Sequence, residues 1–275
     1  MQRITITPSQ IHANYIAIEP AQHHYLTRVI RLQTGAQFQA IDGTGTLYLC
    51  ALTAHGSTYA AEIIQTISPT GIERLDDAPH TITLICALPK GNNFDDIVRA
   101  CTELGVTTII PAQSDRTLLN PSPQKLQRWR KIAQEAAEQS ERLIIPTIAE
   151  PQPLPTIFNQ LPIDSSKYLC EARGEYPHLL SCLQSNQPTA TQIIIAIGPE
   201  GGWTDAEIEL AIEHNFQLVS LGRHILRTIT APIVALSIVT ATRTVDSWQR
   251  FGEARGNETI HLKAGASNPW AVVID

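Results

Sequence analysis

No stretch of this sequence is apolar over the roughly 20 residues a membrane-spanning helix needs, although hydrophobic residues fill 43% of its 275 positions. Its start, MQRITITPSQ, has no apolar core and no small-residue cleavage signal, which argues against export and predicts a cytoplasmic protein with no membrane partner. The five cysteines, at positions 50, 86, 101, 170 and 182, form no CxxC pair and no metal-ligand spacing. They are expected as reduced, mostly buried thiols, and no metal is expected. Basic charge is also short: with a net charge of −6 there is no global field for nucleic acid, so such contacts require local basic patches. No GxGxxG follows a predicted strand, and GxxxxGKS/T, GxSxG and HExxH are absent. Nicotinamide Rossmann enzymes, P-loop NTPases and serine or zinc hydrolases are thereby disfavoured.

What is present changes texture near residue 70. Before it lie short alternating segments at 3–7, 15–18, 36–41, 46–52 and 59–67, with Asp42-Gly43-Thr44-Gly45 as a hairpin turn. One helical insert, 23–32, carries Leu26, Val29 and Ile30 inward. This spells a small β-barrel-like domain, on which His24, Arg28 and Arg31 are candidate phosphate contacts. Residues 69–79 are polar and turn-rich and read as a linker. Beyond it, a strand at 81–88, a helix at 94–104 closed by Gly105 and a strand at 106–111 form a βαβ unit, which requires a parallel sheet. Asp95 and Asp96 suit that helix's dipole. Ser122-Pro123 opens a helix to about Arg142, with Leu126, Trp129, Ile132, Ala133 and Ala136 as its buried stripe. Arg128, Lys131, Glu135, Glu138 and Arg142 read as its solvated side.

The densest stretch is 192–232. A β-branched run at 192–197 predicts a strand buried on both faces, and it ends in Gly198-Pro199-Glu200-Gly201-Gly202. Thr204 and Glu207 have the capping-box spacing, with Ile208, Ala211, Ile212 and Phe216 as the apolar face of the helix that follows. A second short strand, 218–221, leads to Gly222 and a helix capped by Thr230. Residues 231–242, apolar nearly all round, belong in the core or a subunit interface. Two glycine turns at the carboxyl ends of parallel strands are where an open α/β sheet holds its ligand, here a flat heterocycle between apolar walls.

Four blocks in order, LPKGNNFDDIVRACTELGV, RWRKIAQEAAEQSER, IGPEGGWTDAEI and SLGRHILRTITA, together with HHYLTRVIRL and DGTG near the start, resemble the 16S ribosomal RNA (uracil-N3-)methyltransferase family of the SPOUT class. The resemblance implies a PUA-like RNA-binding β-barrel domain at 1–70, an α/β methyltransferase domain with a parallel sheet and a trefoil knot at 80–250, and a tail at 251–275. It also implies a homodimer, S-adenosylmethionine as methyl donor and 16S rRNA in the small ribosomal subunit as partner. By position, Gly198, Glu200, Gly201, Leu221, Gly222, Ile225, Leu226, Arg227, Thr230 and Ala231 would hold the cofactor. Arg227 is the candidate catalytic residue, stabilising the uracil anion or a phosphate. Lys90, Arg99 and Arg116 join the candidate RNA contacts. The chain departs from the family at Ile229, where a glutamate is usual, and at Asn92, Asn93, Phe94 and Ala100, where the pattern is more basic. The loss at 229 keeps open a second reading, a protein that binds RNA without turnover; another SPOUT enzyme with a different RNA target is a third.

Overall fold

The computed structural model describes residues 2–55, 58–67, 81–117, 121–185 and 192–254. The linker read at 69–79 lies outside these, as does the tail read at 251–275 from residue 255 onward, its first four residues, 251–254, ending the last helix.

The first sheet holds five strands, β1 (Arg3–Thr5), β2 (Tyr15–Ala17), β3 (Gln37–Ile41), β4 (Leu47–His55) and β5 (Thr58–Ile67), in the order β1-β3-β4-β5-β2. The β1–β3 pair is parallel and the other three are antiparallel. No ladder joins β1 to β2; two glutamines do. Gln22 Nε2 donates to the Thr5 carbonyl at 2.8 Å, and Gln10 Nε2 donates both to Gln22 Oε1 at 2.8 Å and to the Ala17 carbonyl at 2.7 Å. Side-chain amides thus complete the barrel-like closure and satisfy edge carbonyls. The helical insert starts earlier than its periodicity suggests, as α1 (Pro20–His24), and continues as a π turn at Tyr25–Val29. That wider turn rotates Val29 outward, where it is 61% exposed, while Leu26 stays buried.

The second sheet is parallel throughout. Its strands are β6 (Thr81–Ala87), β7 (Thr108–Gln113), β8 (Thr147–Ile148), β9 (Gln152–Pro153), β10 (Ser166–Cys170), β11 (Gln192–Ile197) and β12 (Gln217–Val219), in the order β12-β10-β11-β6-β7-β8, with β9 also on β7. Alternation along β6 and β11 divides two cores. Leu84, Cys86, Ile193, Ile195 and Ile197 face α2 (Asn93–Glu103), α3 (Pro123–Gln139), α5 (Leu179–Ser185) and α7 (Thr230–Ala254). Ile85, Ile194 and Ala196 face α4 (Leu154–Asn159) and α6 (Asp205–Glu213). Both faces are covered, so the strands read as unbroken apolar runs.

Two helix ends correct the expectations. α3 stops at Gln139, and Glu141 takes a left-handed φ of 60°. Arg142 therefore turns inward instead of lying on the solvated side: it is 4% exposed, and its Nη1 donates to the Thr102 and Val106 carbonyls. α6 stops at Glu213, with Asn215 left-handed at φ 63°. Phe216 is buried from beyond the helix, and Ile212 is left 54% exposed.

The two sheets meet at defined contacts. The Thr5 amide donates to Glu138 Oε1 at 3.0 Å, and the Ile145 amide donates to the Gly43 carbonyl at 2.9 Å. Gly43 has a φ of 75°, and a Cβ there would stand 2.9 Å from Ile145 Cδ1, so only glycine serves both turn and contact.

Candidate functional site

A cavity of about 590 Å³ opens at the carboxyl ends of β10, β11 and β12, a size suited to a cofactor-like molecule. Three loops wall it: 170–173 after β10, 197–203 after β11, and 221–231 leading into α7. Ile197, Leu221, Ile225, Leu226 and Ile229 supply apolar surface, and Glu171, Arg173, Glu200, His224 and Arg227 supply charge or hydrogen bonding.

Each glycine in the loop after β11 has its own reason. Gly198 lies under the Trp203 indole, where a Cβ would meet Cε2 at 3.0 Å. Gly201 lies against Arg116, where a Cβ would meet Cδ at 2.9 Å. Gly202 has a φ of +74° with open space around it, so its need is conformational. The loop is fastened to its neighbours: Trp203 Nε1 donates to the Cys170 carbonyl at 3.1 Å and the Lys90 amide to Glu200 Oε1 at 3.0 Å. The predicted capping box then starts α6, the Thr204 amide donating to Glu207 Oε2 at 2.8 Å and the Glu207 amide to Thr204 Oγ1 at 3.3 Å. The third loop ends where the Arg227 carbonyl accepts the amides of Thr230 and Ala231, at 2.8 and 2.9 Å, as α7 begins. Gly222, at φ +127°, permits its sharp turn.

The cavity thiol is inert. Burial pushes Cys170 up to about 12, so it stays protonated and unfit as a nucleophile. Cys86, behind the loops, is also pushed up to about 12 by burial, with the Glu200 charge adding to it. Cys50, Cys86, Cys101 and Cys182 are buried and Cys170 half-buried. Glu171 is the acidic side chain withdrawn from solvent here, at 8% exposure; its Oε1 accepts the Arg173 amide at 2.8 Å.

Among the residues expected to hold a cofactor, Gly198, Glu200, Leu221, Gly222, Ile225, Leu226, Arg227 and Ala231 line the cavity. Gly201 and Thr230 stand behind it, the first against Arg116 and the second opening α7. Ile229 lies in the wall. The candidate RNA contacts fall into three groups. His24, Arg28 and Arg31 are exposed on the insert of the first sheet, with Arg31 at a φ of 61°. Lys90 is exposed just before α2 and Arg99 midway along it, Arg99 paired with Asp96 at 2.9 Å. Arg116 donates to the carbonyls of Gly201 and Trp203. Sequence reasoning missed the loop after β10, with Glu171 and Arg173, and also missed His224 and Trp203. The signal available was positional: a strand expected beside β11 in a parallel sheet delivers its following loop to the same edge.

Comparisons with known proteins agree with this layout. Residues 76–240 match the model of an RNA methyltransferase domain, and residues 18–65 match that of an RNA methyltransferase PUA domain. Ribosomal RNA small subunit methyltransferase E of Synechocystis sp. is 44% identical over 243 residues, spanning 87% of this chain and 77% of the relative. The Bacillus subtilis protein of that name is 30% identical over 249 residues, spanning 87% and 96%. Among solved structures, ribosomal RNA small subunit methyltransferase E from Neisseria gonorrhoeae bound to S-adenosyl methionine superposes with a TM-score of 0.76 at 28% identity, covering 88% of this chain and 98% of that one. A putative methyltransferase from Legionella pneumophila, in complex with the same cofactor, gives 0.74 at 25% identity, covering 87% and 97%. With the domain model spanning both cavity-forming glycine turns and the PUA model lying on the first sheet, the chain belongs to the RNA methyltransferase family.

Proposed function

We propose that the chain transfers a methyl group from S-adenosylmethionine to N3 of a uridine in 16S RNA of the small ribosomal subunit. The observation that carries this reading is the cavity between the two glycine turns, inside the segment that matches an RNA methyltransferase domain. Its residues fit the cofactor. Leu221, Ile225 and Leu226 offer apolar walls to a flat adenine, Gly198 and Gly222 allow close backbone approach, and Glu171 suits a ligand of positive charge. Ile225 is 72% exposed, and a bound ring would cover it. When bound, the cofactor supplies an electrophilic methyl group on a positively charged sulfur.

Uracil N3 carries a proton and is a poor nucleophile until that proton leaves. Ile229 provides no proton acceptor, so the N3 proton leaves to solvent water, and Arg227 at the cavity wall favours the anionic ring by its positive charge. Holding N3 in line with the methyl group supplies much of the remaining rate.

The same reading takes the chain as a PUA-like domain at 1–70 and a knotted methyltransferase domain at 80–250. It makes the protein a cytoplasmic homodimer joined through α7. On that helix Ala235, Leu236 and Val239 are buried, while Ile233, Val234 and Ile238 are only half-buried, an apolar stripe that a second copy would cover.

Calorimetry with S-adenosylmethionine, followed by mass mapping of nucleosides after incubation with small subunits, tests the proposal. Cofactor binding with 3-methyluridine formed is the expected result. Absence of heat would overturn it, and binding without transfer would favour the reading in which Ile229 marks lost turnover.

A further inference from the structure

Arg116 follows β7 and, as an exposed cation, reads in the sequence as an RNA contact. We infer that it is instead a positioning residue of the cofactor loop, an inference that rests on the function proposed above. Its Nη1 donates to two carbonyls of that loop, those of Gly201 and Trp203. The guanidinium reaches them because residue 201 has no side chain: a Cβ there would stand 2.9 Å from Arg116 Cδ. Gly201 has no positive φ, so its backbone does not need glycine. Its absent side chain leaves room for the arginine.

The neighbouring residue fastens the other end of the same loop. The Asp115 amide donates to Glu207 Oε1 at 2.9 Å, and Thr204 Oγ1 donates to Asp115 Oδ2 at 3.0 Å. Asp115 and Arg116 are themselves held in a turn in which the Thr117 amide bonds the Ser114 carbonyl at 2.9 Å. The physical need is specific. Gly202, at φ +74° with open space where a Cβ would stand, is the softest backbone position of the loop, held on its near side by its amide, which donates to the Pro199 carbonyl at 2.9 Å. One cation bonded to the carbonyls of residues 201 and 203, which flank Gly202, fixes the two sides of that position relative to each other and so holds the loop in one conformation beside the cavity. Arg116 lies outside the cavity lining and acts through the loop.

The test is a set of variants, Arg116→Ala, Arg116→Lys, Gly201→Ala and the double variant, measured by calorimetry with S-adenosylmethionine and by RNA binding across salt concentrations. Arg116→Ala is expected to weaken cofactor binding about tenfold, the effect of losing a charge-assisted pair of hydrogen bonds that orders a loop. KM for the cofactor should rise with KM for RNA unchanged. Arg116→Lys, which keeps the charge and loses the fork, should recover only part. Gly201→Ala should weaken cofactor binding in the natural chain and add little once Arg116 is alanine, because the clash is gone. An unchanged cofactor affinity, with the salt slope of RNA binding reduced by about one, would make Arg116 a phosphate contact and overturn the inference alone. A natural chain that binds no cofactor would instead overturn the proposed function and this inference with it.

Discussion

The Trp203 indole lies over Gly198 and donates its Nε1 proton to the Cys170 carbonyl at 3.1 Å, tying the glycine loop of β11 to the end of β10. Trp203→Phe keeps most of the ring and loses the bond. It should cost about 1 kcal/mol in urea unfolding and weaken cofactor binding. Gly198→Ala forces a Cβ to 3.0 Å from the indole and should cost more, about 1–3 kcal/mol, as overpacking does.

Arg142 bridges the end of α2 to the strand that follows. Because the Thr102 and Val106 carbonyls both accept from it in the interior, Arg142→Met removes a charge-assisted bond from each, the Thr102 carbonyl keeping the Gly105 amide at 3.1 Å. The expected loss is about 1–3 kcal/mol, read as a lower denaturant midpoint at unchanged slope. A midpoint shift under about 0.5 kcal/mol would show that water replaces the arginine.

Asp42 sets the acid limb of stability at the hairpin. Burial pushes its carboxyl up, but bonds from Thr44 and Thr46 outweigh burial and hold it below its ordinary value. A depressed folded value means the contribution is present above the unfolded pKa of about 3.9 and is lost as pH falls through the lower folded one. The natural chain should therefore exceed Asp42→Asn in stability by a constant margin from neutral pH down to about pH 5. That margin should shrink below about pH 4 in acid titrations followed by circular dichroism.

Glu171 offers a nearly buried carboxylate to the cavity. Glu171→Gln should weaken binding of S-adenosylmethionine, with its charged sulfur, more than binding of the neutral-sulfur product S-adenosylhomocysteine. Equal losses for both in calorimetry would assign the carboxylate to a group the two ligands share.

Val234 lies opposite the buried face of α7 formed by Ala235, Leu236 and Val239. Val234→Glu should convert a sedimenting dimer to monomer with little change in the fold of either sheet. A natural chain that is monomeric at micromolar concentration would remove the proposed interface.

Local periodicity determined a good deal on its own. The apolar run at 192–197, the Thr204 and Glu207 cap, the buried stripe of α3 and both glycine turns follow from residues a few positions apart. Their interactions act over one helical turn or one strand pleat, which is why they are legible in a linear text. The ordered blocks added the family and a set of residues most of which line one cavity. Tertiary structure decided the rest. That Gly201 is glycine for Arg116, that Trp203 reaches Cys170, that Arg142 turns inward and that Gln10 and Gln22 close the first sheet depends on partners 12 to 85 positions apart. Such contacts are set by strand order and by where a left-handed residue ends a helix, and neither leaves a period in the sequence. The loop carrying Glu171 joined the site for the same reason: β10 pairs with β11 in the parallel sheet, and only that pairing brings its end to the glycine turns.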